Sequence, residues 1–244
     1  MRSAASYWFP LILVFLSWET ALWRPQWLIF AFGACLLGIV LFILPLVVRN
    51  KEGIGSRDYT GALSVVVALS GVFWWLLWID LRVVKFFIPF LLFVAASMFF
   101  SQERRMTKQA RLAIYVGGTF FWAHFTYGLV TVLGWDPWRA AGMFIIAFIL
   151  LSWPLFSREE HGQHMILVVW LTQCLFAIEA YSVLVWLPFA ESTLALLLTI
   201  FMAGLYDFSK YVFDPSLVRR SIVLKKILVY VGAFSLLLIS TPWH

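Results

Sequence analysis

Two ionisable residues stand inside long apolar runs and are the first candidates for chemistry. His124 lies in Thr119-Phe120-Phe121-Trp122-Ala123-His124-Phe125-Thr126-Tyr127, and Glu179 in Gln173-Cys174-Leu175-Phe176-Ala177-Ile178-Glu179-Ala180-Tyr181. An ionisable group in an apolar span is costly to keep, so it marks a partner or a task. An imidazole beside a carboxylate can hold and release a proton near neutral pH. If the two met, with Gln173, Tyr127 and Tyr181 alongside, they would form a proton-titrating pair lining a polar cavity, as in a small proton-coupled secondary transporter. The simpler reading is a hydrogen bond between helices that fixes their packing.

A second set consists of Glu19, Asp80, Asp136 and Glu191 with Arg82, Lys85 and Arg139, all near the ends of apolar runs. Carboxylates converging there would suit an intramembrane enzyme acting on a lipid-linked substrate. The same residues also serve as helix caps and as partners of interfacial aromatics. Snorkelling to the interface accounts for Glu19 and Lys85 in particular. A third set is Arg158-Glu159-Glu160-His161-Gly162-Gln163-His164. Glu160, His161 and His164 are possible metal ligands. The H-E-x-x-H spacing is absent and Gly162 suggests a turn, so a solvated polar loop is expected. There is no glycine-rich phosphate loop and no G-x-S-x-G elbow. Nothing in the residues points to a particular cofactor. Cys35 and Cys174 carry no metal or disulfide spacing and read as small apolar residues.

Composition dictates the kind of element that carries these groups. The 244 residues are 63% hydrophobic and only 12% charged, with a mean hydropathy of +0.93. Soluble domains carry about 25% charged residues. Half that charge cannot cover a water-facing surface, so lipid is the expected solvent. A span needs about 20 apolar residues. The chain divides into nine such runs: Tyr7–Leu22, Trp27–Val48, Tyr59–Ile79, Arg82–Phe100, Leu112–Leu133, Arg139–Phe156, Met165–Leu187, Glu191–Phe208 and Ile222–Thr241. No stretch between them is long enough for a soluble domain. The expectation is an all-α, polytopic helical bundle forming one membrane domain over residues 1–244.

Charge orients the spans. Fourteen of the 18 Lys and Arg residues fall on one side, and only Arg24, Arg82, Lys85 and Arg139 on the other. Basic loops remain cytoplasmic, which puts the N-terminus inside and, after nine spans, the C-terminus outside. The first run reads as an uncleaved span. Ten of the 14 tryptophans, among them Trp74, Trp138 and Trp186, map to the opposite boundary. Indoles favour that interface, and their pattern is independent of the charges. The net charge of +6 is spread over several loops, so it signals orientation and anionic headgroups and not nucleic acid. Asp136-Pro137 should cap the sixth span. Asp214-Pro215 should open a short helix in the headgroup plane that carries Leu217, Val218, Arg219, Arg220 and Ile222. Pro45, Pro89 and Pro154 lie within spans and should kink them.

These features favour a non-enzymatic membrane protein. It would be a scaffold or partner subunit of a membrane assembly, or a binder of lipid or another apolar ligand. The transporter and the lipid-directed enzyme are the alternatives. Membrane lipids and other membrane subunits are the expected partners, and the inner membrane of a bacterium the expected location.

Overall fold

The computed structural model describes residues 59–78, 107–157 and 162–241, together with 12, 13, 15–17, 19, 20, 24, 27, 30, 31, 33–35, 37 and 38. Every regular element among the described residues is helical. These are α1 (Tyr59–Trp75, continued by a 3-10 turn over Leu76–Trp78), α2 (Lys108–Thr131), α3 (Pro137–Phe156), α4 (Gln163–Leu184), α5 (Glu191–Phe213) and α6 (Arg220–Ser240). Helices α3 to α6 are each long and apolar enough to cross a membrane. The expected first, second and fourth spans, with Pro45 and Pro89, lie wholly or largely outside the described residues. Contacts divide the chain into two compact units, Met1–Gly118 and Thr119–His244.

In the first unit, α1 buries Val66, Val67, Phe73 and Trp74. The Ser64 and Ser70 hydroxyls donate to the carbonyls of Gly61 and Val67 on their own helix. Such back-bonding satisfies a hydroxyl where no water is at hand. The Cys35 thiol is buried beside Trp74, Ser17 and Ser70, in a more polar setting than a small apolar residue would need. Trp74, near the C-terminal end of α1, is 1% exposed.

In the second unit, α3 packs on α4, α4 on α5 and α5 on α6. The intervening connections are short, which makes neighbours antiparallel. Aromatic rings fill the core. Tyr181 of α4 stacks between Tyr127 of α2, at 4.4 Å and 5°, and Phe144 of α3, at 5.1 Å and 18°. Nearer the other end of α3, Phe156 meets Tyr206 of α5 edge-on at 5.5 Å. The Trp170 indole N–H donates to Ser152 Oγ at 3.0 Å, tying α4 to α3. Helix α6 has no buried residue and exposes Leu224, Leu228, Val229, Leu236 and Ile239. An apolar surface of this extent fits contact with lipid or with another apolar surface.

Local chemistry sets the helix ends. Gly134, at φ 63°, reverses the chain after α2 in a conformation that suits glycine. Asp136 then accepts the Trp138 N–H at 2.9 Å and Pro137 opens α3. Pro154 lies in the last turn of α3, where the helix ends two residues later. The α5–α6 connection differs from expectation. Helix α5 runs on to Phe213, and Pro215–Leu217 form only a 3-10 turn. Asp214 accepts the Ser216 N–H at 3.0 Å and closes that turn. Val218 and Arg219 are extended, so Arg220 and Ile222 belong to α6 and not to a separate surface helix.

Candidate functional site

The residues grouped around His124 and Glu179 fall on two sides of α4. Gln173, Cys174, Ala177, Tyr181 and Leu184 form its buried face. At 3.6 residues per turn, Glu179 projects opposite Ala177 and Tyr181. It is exposed, as are Val168, Leu171, Leu175 and Val183 around it. Tyr127 and Tyr181 do come together, and the Tyr127 hydroxyl lies 3.5 Å from the Tyr181 carbonyl, at the limit of a hydrogen bond. Gln173 is 3% exposed, and neither its amide nitrogen nor its oxygen is hydrogen bonded among the described residues.

His124 is partly buried on α2, edge-on to the Phe120 ring at 5.9 Å. The charge of Glu191, at the start of α5, reaches it. No hydrogen bond or ion pair among the described residues joins it to Glu179. Along their own helices the two residues lie similar distances past the centre toward the C-terminal end, His124 about 7 Å and Glu179 about 8 Å. Equal height along two helices is not contact, because a helix has a back as well as a front.

The other sequence candidates take separate places. Asp136 is exposed and uses its carboxylate as the cap of α3, with Arg139 exposed one turn on. Glu191 accepts the Thr131 hydroxyl at 2.9 Å, joining the N-terminus of α5 to the C-terminus of α2. Glu19 is half-buried in the first unit. Asp80, Arg82 and Lys85 lie outside the described residues, as do Glu160 and His161. His164 is exposed in the first turn of α4. Among the described residues no group of three or more His, Cys, Asp and Glu side chains is placed to hold a metal.

One charged cluster is absent from the sequence candidates. Asp207 of α5 meets Lys210 on its own helix at 2.9 Å and Lys226 of α6 at 2.6 Å, one carboxylate oxygen to each. The Lys210 ammonium also sits over the Tyr206 ring and that of Lys226 over the Tyr211 ring, each at 5.1 Å. Charged groups within spans pair in this way to offset lost hydration. Asp207 and Lys210 become a helical i, i+3 pair only because α5 runs past Phe208 to Phe213. Lys226 is not connected to them in the sequence, because α5 is expected to end at Phe208 and α6 to begin at Ile222. Comparison with protein-family models, with curated proteins and with solved structures finds no match to this chain.

Proposed function

We propose that the chain is a nine-span membrane protein, its Lys- and Arg-rich loops on the cytoplasmic side, that acts as a non-enzymatic subunit of a membrane assembly. The exposed face of α4 is the assembly face. One observation carries this reading: Glu179 is exposed in the middle of an apolar helix face, between Leu175 and Val183. A charged side chain left against acyl chains costs up to roughly 2.5–3.5 kcal/mol at a span's centre, and less about 8 Å from it, where Glu179 lies. A neighbouring helix that offers a cation or hydrogen-bond donor removes that cost and gains packing against Val168, Leu171 and Leu175. The occupant is therefore a membrane-spanning helix of another subunit with Lys, Arg or a strong donor at the level of Glu179.

The test places a photo-crosslinking residue at Leu175 in the full chain and irradiates intact membranes. The expected product joins α4 to a spanning segment of a second polypeptide with a basic or donor residue at that depth. Glu179→Leu reduces the yield several-fold and Glu179→Gln reduces it less. Crosslinks confined to lipid or to the chain itself would sink the proposal, as would a yield indifferent to Glu179→Leu.

A further inference from the structure

The Asp207 cluster borders an apolar groove. A cavity of about 390 Å³ lies between α5 and α6, lined by Phe201, Gly204, Phe208, Tyr230, Val231 and Phe234 among others, with no polar surface. Its volume falls within the roughly 300–1,000 Å³ range of small-molecule pockets. Gly204 helps to shape it: a Cβ there would stand 3.4 Å from the Tyr230 ring. Tyr230 and Phe208 pack together, ring centres 6.1 Å apart, at the end of the groove nearest Asp207.

Charge at that end is unbalanced. Asp207 is one carboxylate against the two ammonium groups of Lys210 and Lys226. Each ammonium has three donors, so a bond to Asp207 leaves others for an anion. Arg219, Arg220 and Lys225, all exposed, add the same sign at this end of α6. Depth agrees with a lipid headgroup. Lys210 lies about 28 Å along α5 from Glu191, close to the edge of a hydrocarbon core about 30 Å thick. The groove runs from there toward the core, beside a helix with no buried residue. A ligand that fits is apolar along its length and anionic at one end.

We infer that the α5–α6 groove holds an acyl chain of an anionic glycerophospholipid whose phosphate rests against Lys210 and Lys226. Basic pockets between spanning helices are general sites for such headgroups. The inference depends on the placement of α5 and α6 in a bilayer and not on the assembly face at Glu179.

The experiment is native mass spectrometry of the full chain purified in mild detergent, with added phosphatidylglycerol or phosphatidylcholine of identical acyl chains. Wild type should retain phosphatidylglycerol in preference by on the order of ten-fold. K210Q/K226Q should abolish the preference. Lys210→Gln alone, which spares the Lys226–Asp207 pair, should lower it if the double variant does not fold. Gly204→Leu should reduce retention of both lipids by filling the groove. Asp207→Asn should preserve or raise the preference, because it releases both lysines. Equal retention of the two lipids by wild type would overturn the inference. So would displacement of phosphatidylglycerol by millimolar inorganic phosphate, or a loss in Asp207→Asn equal to that in K210Q/K226Q, which would make the cluster a structural tie only. Glu179→Gln should leave the preference unchanged, so failure here and failure of the assembly reading give different results.

Discussion

Gln173 and Glu179 show how little the type of a polar residue says without its direction. Both lie on α4 within an apolar run, yet one is buried and the other exposed. Gln173 is enclosed, with no hydrogen bond to its amide among the described residues. A buried amide without a partner costs about 1–3 kcal/mol, so an apolar side chain of similar shape should be better there. Gln173→Met is expected to raise stability by about 1 kcal/mol, seen as a higher midpoint of thermal unfolding in detergent. A lower midpoint would mean that the amide has a partner in the membrane. Asp207 makes the complementary point. Its partner Lys210 lies beyond the helix end expected at Phe208, while Lys226 lies on another helix, and only the packing of α6 on α5 brings it to 2.6 Å.

At the scale of elements, helix ends were the most legible feature where a side chain defines them. Asp136 accepts from Trp138 and Pro137 follows, because a carboxylate satisfies an orphan N–H and proline has none to lose. Asp136→Ala should therefore lower stability by about 1 kcal/mol, while Asp136→Asn should be nearly neutral. Paired thermal melts check this. A large loss in Asp136→Asn as well would show that the charge does more than cap. Asp214-Pro215 carries the same signature but opens only a 3-10 turn. The dipeptide specifies a start, and the residues after it decide the length: the extended Val218 and Arg219 stop the turn at once. How far each tryptophan is enclosed was not legible: Trp138 and Trp186 are 70% and 73% exposed, whereas Trp74 is buried.

For the molecule as a whole, the asymmetry of Lys and Arg makes a direct prediction about sidedness. In a Cys35→Ser/Cys174→Ser background, Ser216→Cys and Trp186→Cys flank α5 at opposite ends. A membrane-impermeant thiol reagent applied to sealed, right-side-out vesicles is expected to label Trp186→Cys only, and to reach Ser216→Cys after permeabilisation. Labelling of both from one side would remove α5 as a span, and the reverse pattern would invert the orientation. That the chain is helical and suited to lipid was legible from its residues, because apolar run length and low charge act locally and need no knowledge of neighbours. The bounds of α3 to α6 were legible too, to within a few residues, apart from the C-terminal extension of α5. Which face of each helix turns inward was not. Helices apolar nearly all round carry almost no amphipathic signal, so periodicity cannot orient them. Packing in three dimensions alone therefore set Tyr181 between Tyr127 and Phe144, turned Glu179 outward, and closed Asp207 onto Lys226 beside an apolar groove.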